Sequence, residues 1–87
     1  MISLKISKQM ERRGWSVNRM KNTIENPKHT SSATNKLTGE GAIAYFDESG
    51  SYIVLDEASK NVIQISNRLD PKWIPDPTIK NPYTPNL

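Results

Sequence analysis

Two β-rich runs, Tyr52-Ile53-Val54-Leu55-Asp56 and Val62-Ile63-Gln64-Ile65-Ser66, constrain this chain more than any other stretch. Their β-branched and aromatic content favours strands, and the polar Glu57-Ala58-Ser59-Lys60-Asn61 between them predicts a hairpin loop. The period-2 rule puts Ile63 and Ile65 on one face with Ile53 and Leu55. Gln64 and Ser66 then share the other face with Tyr52 and Val54, a half-sheltered surface suited to a shallow site. A chain of 87 residues buries only about 60–65% of its unfolded surface, so the hairpin must organise a single thin core.

Nothing covalent supplements that core. The chain has no cysteine and one histidine, His29, which excludes disulfides and closes a Cys/His zinc site. No metal or cofactor is implied. No apolar run approaches the roughly 18 residues of a membrane span, so no membrane insertion is expected. The start, Met1-Ile2-Ser3-Leu4-Lys5, lacks the apolar stretch of a signal peptide.

Charge is unevenly distributed. Residues 1–39 carry eight Lys/Arg against two Glu, a net +6, whereas residues 40–87 carry four against seven Asp/Glu, a net −3. A basic half of this kind is the electrostatic footprint of a polyanion binder, of which nucleic acid is the commonest; a plain solvated basic face fits the composition equally.

Residues 3–13 read as a helix closed by Gly14 at the C′ position, although alternating Ile2, Leu4 and Ile6 also fits a short strand. A second helix opens at Ser16, a good N-cap, with Trp15 and Met20 at the two positions of a hydrophobic staple. It stops at Asn26, because Pro27 disfavours helical geometry in its predecessor. Residues 27–38 read as a long polar loop with almost nothing to bury. A strand over 42–47 and the 52–66 hairpin complete a three-stranded antiparallel meander. The fold class is therefore α+β, with N-terminal helices packed on a small antiparallel sheet. One domain over residues 1–79 is expected, followed by a Pro-rich extended or disordered tail over 80–87, with Trp73 and Ile74 as the anchors of the segment after Ser66.

A basic half, a sole histidine and a sheet face bearing an amide and a hydroxyl together suit metal-independent RNA cleavage. Attack of a ribose 2′-OH on its phosphate needs proton transfer and fixed donors or cations for the transition-state charge. His29 has the chemistry for the proton, with Glu40 in reserve. Lys28 and Lys36 supply cations, and Thr30, Thr38, Gln64 and Ser66 supply hydrogen bonds. Arg19, Arg68 and Trp73 are further candidates for holding RNA.

The motifs Gly14-Trp15-Ser16, Asn26-Pro27-Lys28-His29-Thr30, Thr38-Gly39-Glu40, Gly50-Ser51-Tyr52, Val62-Ile63-Gln64-Ile65-Ser66 and Asp70-Pro71-Lys72-Trp73-Ile74-Pro75-Asp76 occur in an order that resembles colicin-type ribonuclease domains of contact-dependent inhibition and polymorphic toxins. The resemblance spans about residues 14–79. It implies a fold of the barnase, EndoU, colicin and RelE superfamily, with cleavage of transfer RNA in the anticodon loop to a cyclic phosphate. It also implies a cognate immunity protein, expected to be acidic, and delivery as the C-terminal part of a large exported bacterial protein that acts in the target-cell cytoplasm. His29, Thr30, Thr38, Gln64 and Ser66 fall in its motifs, whereas Lys28 and Lys36 rest on charge and proximity. Two other classes stay open: a non-catalytic RNA-binding module, and a small interaction or immunity-type protein. Neither an interleaved basic–aromatic signature nor an acidic balance favours them.

Overall fold

The computed structural model describes residues 4–85. Two helices, α1 (Leu4–Arg12) and α2 (Val17–Glu25), precede four strands, β1 (His29–Thr34), β2 (Gly41–Phe46), β3 (Tyr52–Asp56) and β4 (Val62–Ile65). The strands form one antiparallel sheet in the order β1-β2-β3-β4, so the α+β arrangement of helices on an antiparallel meander holds. Residue Ile2 of the strand alternative lies outside the described residues. No helix among the described residues is long and apolar enough to cross a membrane.

The helix boundaries follow from local chemistry. Gly14 has φ +76°, and the Trp15 N–H donates to the Met10 carbonyl at 2.8 Å, closing α1 with a left-handed cap that most side chains resist. Ser16 then caps α2, its hydroxyl accepting from the Arg19 N–H at 3.1 Å. Trp15 and Met20, the staple pair, are both buried. Together these turns fold α1 and α2 onto one sheet face, where Ile6, Met10, Trp15 and Met20 meet Ile53, Leu55, Val62 and Ile65.

Three expectations are corrected. Residues 29–34 form an edge strand, not a loop: β1 pairs with β2 from His29↔Phe46 to Thr34↔Gly41. Its inward residues are merely small, Ser31 and Ala33, so it carries little apolar signal. Second, Ile63 does not join Ile65 on the helix face. Val54 pairs with Gln64 but Leu55 with Val62, leaving Ile63 as the extra residue of a β-bulge that turns it to the opposite face and gives Val62 its place. Third, Ile74 anchors nothing, being 82% exposed; Ile79 is the buried anchor.

The sheet consequently has two covered faces. On the second, Ala33, Ala42, Ala44, Phe46, Tyr52 and Val54 pack with Ile79, with Ile63, Trp73 and Tyr83 against them. The segment after β4 crosses this face without a helix or strand and is tied to β1, the Lys80 N–H donating to the Ser32 carbonyl and the Ser31 hydroxyl to the Asn81 carbonyl, both at 2.8 Å.

Candidate active site

Tyr52, fully buried in mid-sheet, aims its phenol toward the segment that crosses the second face. The hydroxyl donates to Gln64 Oε1 at 3.0 Å and accepts from Trp73 Nε1 at 3.0 Å and from the Asp76 N–H at 3.2 Å. One oxygen thus holds a β4 amide, an indole ring and the chain after it in fixed relation. Burial pushes the phenol pKa up, so the hydroxyl keeps the proton it donates to Gln64. With its oxygen engaged, the Gln64 amide is oriented from one side while its NH2 remains a donor.

Two arginines flank this hub. Arg13 donates to the Ile65 carbonyl at 2.8 Å and lies over the Trp73 ring, 5.3 Å from its centroid. The Arg68 N–H donates to the Arg13 carbonyl at 2.9 Å, which places the two side by side, and Arg68 lies over the Trp15 ring at 5.0 Å. Arg68 is also paired with Asp47, whose carboxyl burial alone would raise in pKa. Hydrogen bonds from Ser49 and the charge of Arg68 outweigh that burial and hold it below the ordinary carboxylate range. Beside them opens a hollow of about 370 Å³ with a mixed polar and apolar lining, walled by Ser49, Ser51, Arg68, Asp70, Trp73 and Tyr83.

The residues singled out from sequence divide accordingly. Gln64, Arg68 and Trp73 belong to this region. Ser66 adjoins it but is spent on the fold: it is 2% exposed, its hydroxyl accepts the Tyr52 N–H at 2.9 Å and its carbonyl accepts Trp15 Nε1 at 2.8 Å. His29 does not meet Gln64 as expected, because β1 and β4 are opposite edges of the sheet. Three strand spacings, about 14 Å, separate their backbones. The His29 ring instead stacks on Tyr83, at 5.7 Å, and reaches the hollow only through it.

Thr30 lies next along β1, paired with Tyr45. Thr38, in the β1–β2 turn at the other end of the sheet, accepts from the Glu40 N–H at 3.2 Å. Lys36 pairs with Asp76 at 2.8 Å across exposed surface. Lys28 and Arg19 line a separate groove with Asp47 and Arg68. Sequence reasoning missed Arg13 as part of a site and gave Tyr52 a place on the face of Gln64 and Ser66 but no role. Arg13 carried only a helix-surface signal, and neither residue's type reveals a partner more than 10 residues away. Among the described residues, no three His, Asp or Glu side chains gather as a cation site would require.

Chemically, the arrangement offers two guanidiniums, an oriented amide donor, two serine hydroxyls and an indole around a hollow of mixed lining that also includes the Asp70 carboxylate. That is a set for a phosphate with a base attached.

A family model described as the colicin E5 ribonuclease domain matches residues 2–78. The tRNA nuclease CdiA of Burkholderia pseudomallei is 31% identical over 85 residues, covering 87% of this chain and 7% of that protein. Colicin-E5 of Escherichia coli is 31% identical over 90 residues, covering 91% of this chain and 49% of that protein. The chain therefore spans half or less of the length of these curated relatives.

Proposed function

The chain belongs to the colicin E5 ribonuclease domain family, and on that premise we propose that it is a transfer-RNA-cleaving toxin domain whose active site is made by Arg13 and Gln64 together with the hollow that Arg68 and Trp73 line. The observation that supports this reading is that Trp73 and Gln64 meet on the Tyr52 hydroxyl, with Arg13 over the Trp73 ring, beside a hollow of mixed lining. In this reading the RNA is cut in the anticodon loop. The 2′-OH gives up its proton to water as its oxygen attacks the adjacent phosphorus, and the new P–O2′ bond forms as the P–O5′ bond breaks, the departing 5′-oxygen taking a proton from water, to leave a 2′,3′-cyclic phosphate and a 5′-hydroxyl. Arg13 stabilises the charge that grows on the non-bridging oxygens, Arg68, whose charge is matched by Asp47, adds hydrogen bonds from its remaining N–H groups, the Gln64 amide donates to one of these oxygens, and Trp73 stacks against a neighbouring base. No divalent metal takes part. His29, Thr30, Thr38 and Lys36 have no step in it, and Ser66 holds the sheet end on which the site rests.

The likeness to CdiA and Colicin-E5 further supports delivery as the C-terminal part of a large exported protein, action in the target-cell cytoplasm and neutralisation by an acidic immunity protein. The test is incubation with total transfer RNA in EDTA. Discrete fragments ending in a cyclic phosphate are expected. Arg13→Gln, with an unchanged circular dichroism spectrum, should slow single-turnover cleavage by about a hundredfold or more. Intact RNA, or cleavage only with added magnesium, would overturn the reading.

A further inference from the structure

The charged surface continues past the hollow. Behind Arg68 and Ser49, which line both, lies a groove of about 390 Å³ whose other wall is α2 and the residues just after it. Arg19, Asn22 and Asn26 recur there at helical spacing along one face, and Lys28 follows Pro27 at the rim, its N–H fixed to the Phe46 carbonyl at 2.8 Å. Asp47 also lines the groove, but its charge is matched by Arg68. That leaves Arg19 and Lys28 against Glu48 alone, and neither cation joins an ion pair among the described residues.

The groove offers charge and amide donors and no aromatic ring. Such a lining suits sugar-phosphate backbone, which is held by cations and amides, and not bases, which need a stacking surface or a read edge. The adjoining hollow has the aromatic surface in Trp73 and Tyr83. We propose that the Arg19–Lys28 groove holds backbone phosphates flanking the bond cut in the hollow, and so makes the domain selective for folded RNA over short single strands. The inference rests on the RNA-cleaving reading above. A stem-loop presents its flanking phosphates already arranged on both sides of Arg68, whereas a flexible strand loses conformational freedom to reach both.

The experiment compares Arg19→Ala/Lys28→Ala with the parent protein on two substrates, full-length transfer RNA and a short single-stranded oligoribonucleotide. Affinity for transfer RNA should fall about ten- to hundredfold at fixed salt, with a shallower salt dependence, because phosphate contacts have been removed. The cleavage rate of the oligoribonucleotide, too short to span both the hollow and the groove, should fall by a clearly smaller factor. Glu48→Gln should tighten transfer-RNA binding by removing the opposing charge. Equal losses on both substrates, unchanged transfer-RNA affinity in the double variant, or weaker binding by Glu48→Gln would overturn the proposal. If the parent cleaves neither RNA, the nuclease reading fails by itself. Fluorescence titration of transfer RNA with parent and double variant then still decides the groove, equal affinities overturning it and a weakened double variant upholding it.

Discussion

Tyr52 shows how one oxygen can couple stability to a site. Replacing it by Phe keeps the ring in its fully buried place but leaves the Trp73 indole N–H and the Asp76 N–H without their acceptor and frees the Gln64 amide. Unpaired donors in a part-buried position cost about 1–3 kcal/mol, so Tyr52→Phe should lower the unfolding midpoint in urea by a corresponding amount. Because Gln64 and Trp73 lose their common anchor, turnover on transfer RNA should fall beyond what the unfolded fraction explains, and a variant fully active under folding conditions would show that the hub is structural only. Gln64, Arg68 and Trp73 were legible as candidates because an amide in mid-strand and an arginine near a tryptophan stand out in sequence. Arg13 was not, since its role depends on Trp73, which approaches it only once the chain has crossed the sheet. His29 drew attention as the sole histidine, a signal about chemistry that carries no information about place.

Among elements, the helices were readable to within a residue because their ends are set locally, by Gly14, Ser16 and Pro27. The β1 strand was not, because an edge strand of Thr, Ser and Ala is defined by its partner β2 and not by its own hydrophobicity. The bulge at Ile63 likewise breaks the period-2 rule without a sequence marker. The proline-rich segment was the largest surprise: its prolines exclude helix, as expected, but its covering of the second sheet face depends on Ile79 and Tyr83 reaching a core built by other elements. The same distinction is measurable. Ile79 is 5% exposed and Ile74 82% exposed, so Ile79→Ala should cost about 2–4 kcal/mol through lost burial and a cavity, while Ile74→Ala should cost almost nothing. Equal effects of the two substitutions on thermal unfolding would mean that the segment does not hold this face in solution.

At the scale of the whole molecule, the acidic second half is less acidic at its surface than the sequence suggests. Asp47 is matched by Arg68 and Asp76 by Lys36, while Asp56 accepts from the Ser59 N–H and hydroxyl and from Asn35. Asp47 sits below the ordinary carboxylate range for the reasons given above. Asp56 is lowered by its hydrogen bonds, the Ser59 N–H foremost. At Asp76 burial pulls upward, but Lys36 and Thr78 outweigh it. Three carboxylates are thus committed internally, and the basic residues of the first half, Arg19 and Lys28 among them, dominate what an approaching partner meets. A proposed immunity protein that blocks the hollow should therefore be acidic and be drawn in by long-range attraction, which acts on encounter more than on the formed complex. Raising the ionic strength from about 0.05 to 0.3 M shortens the Debye length to roughly half or less, so the association rate constant should fall by about tenfold while the dissociation rate changes little. Stopped-flow mixing separates the two rates. A salt-independent association rate, or a complex that still cleaves transfer RNA at the uninhibited rate, would count against charge-steered blocking of this site and point to a partner that grips the molecule elsewhere.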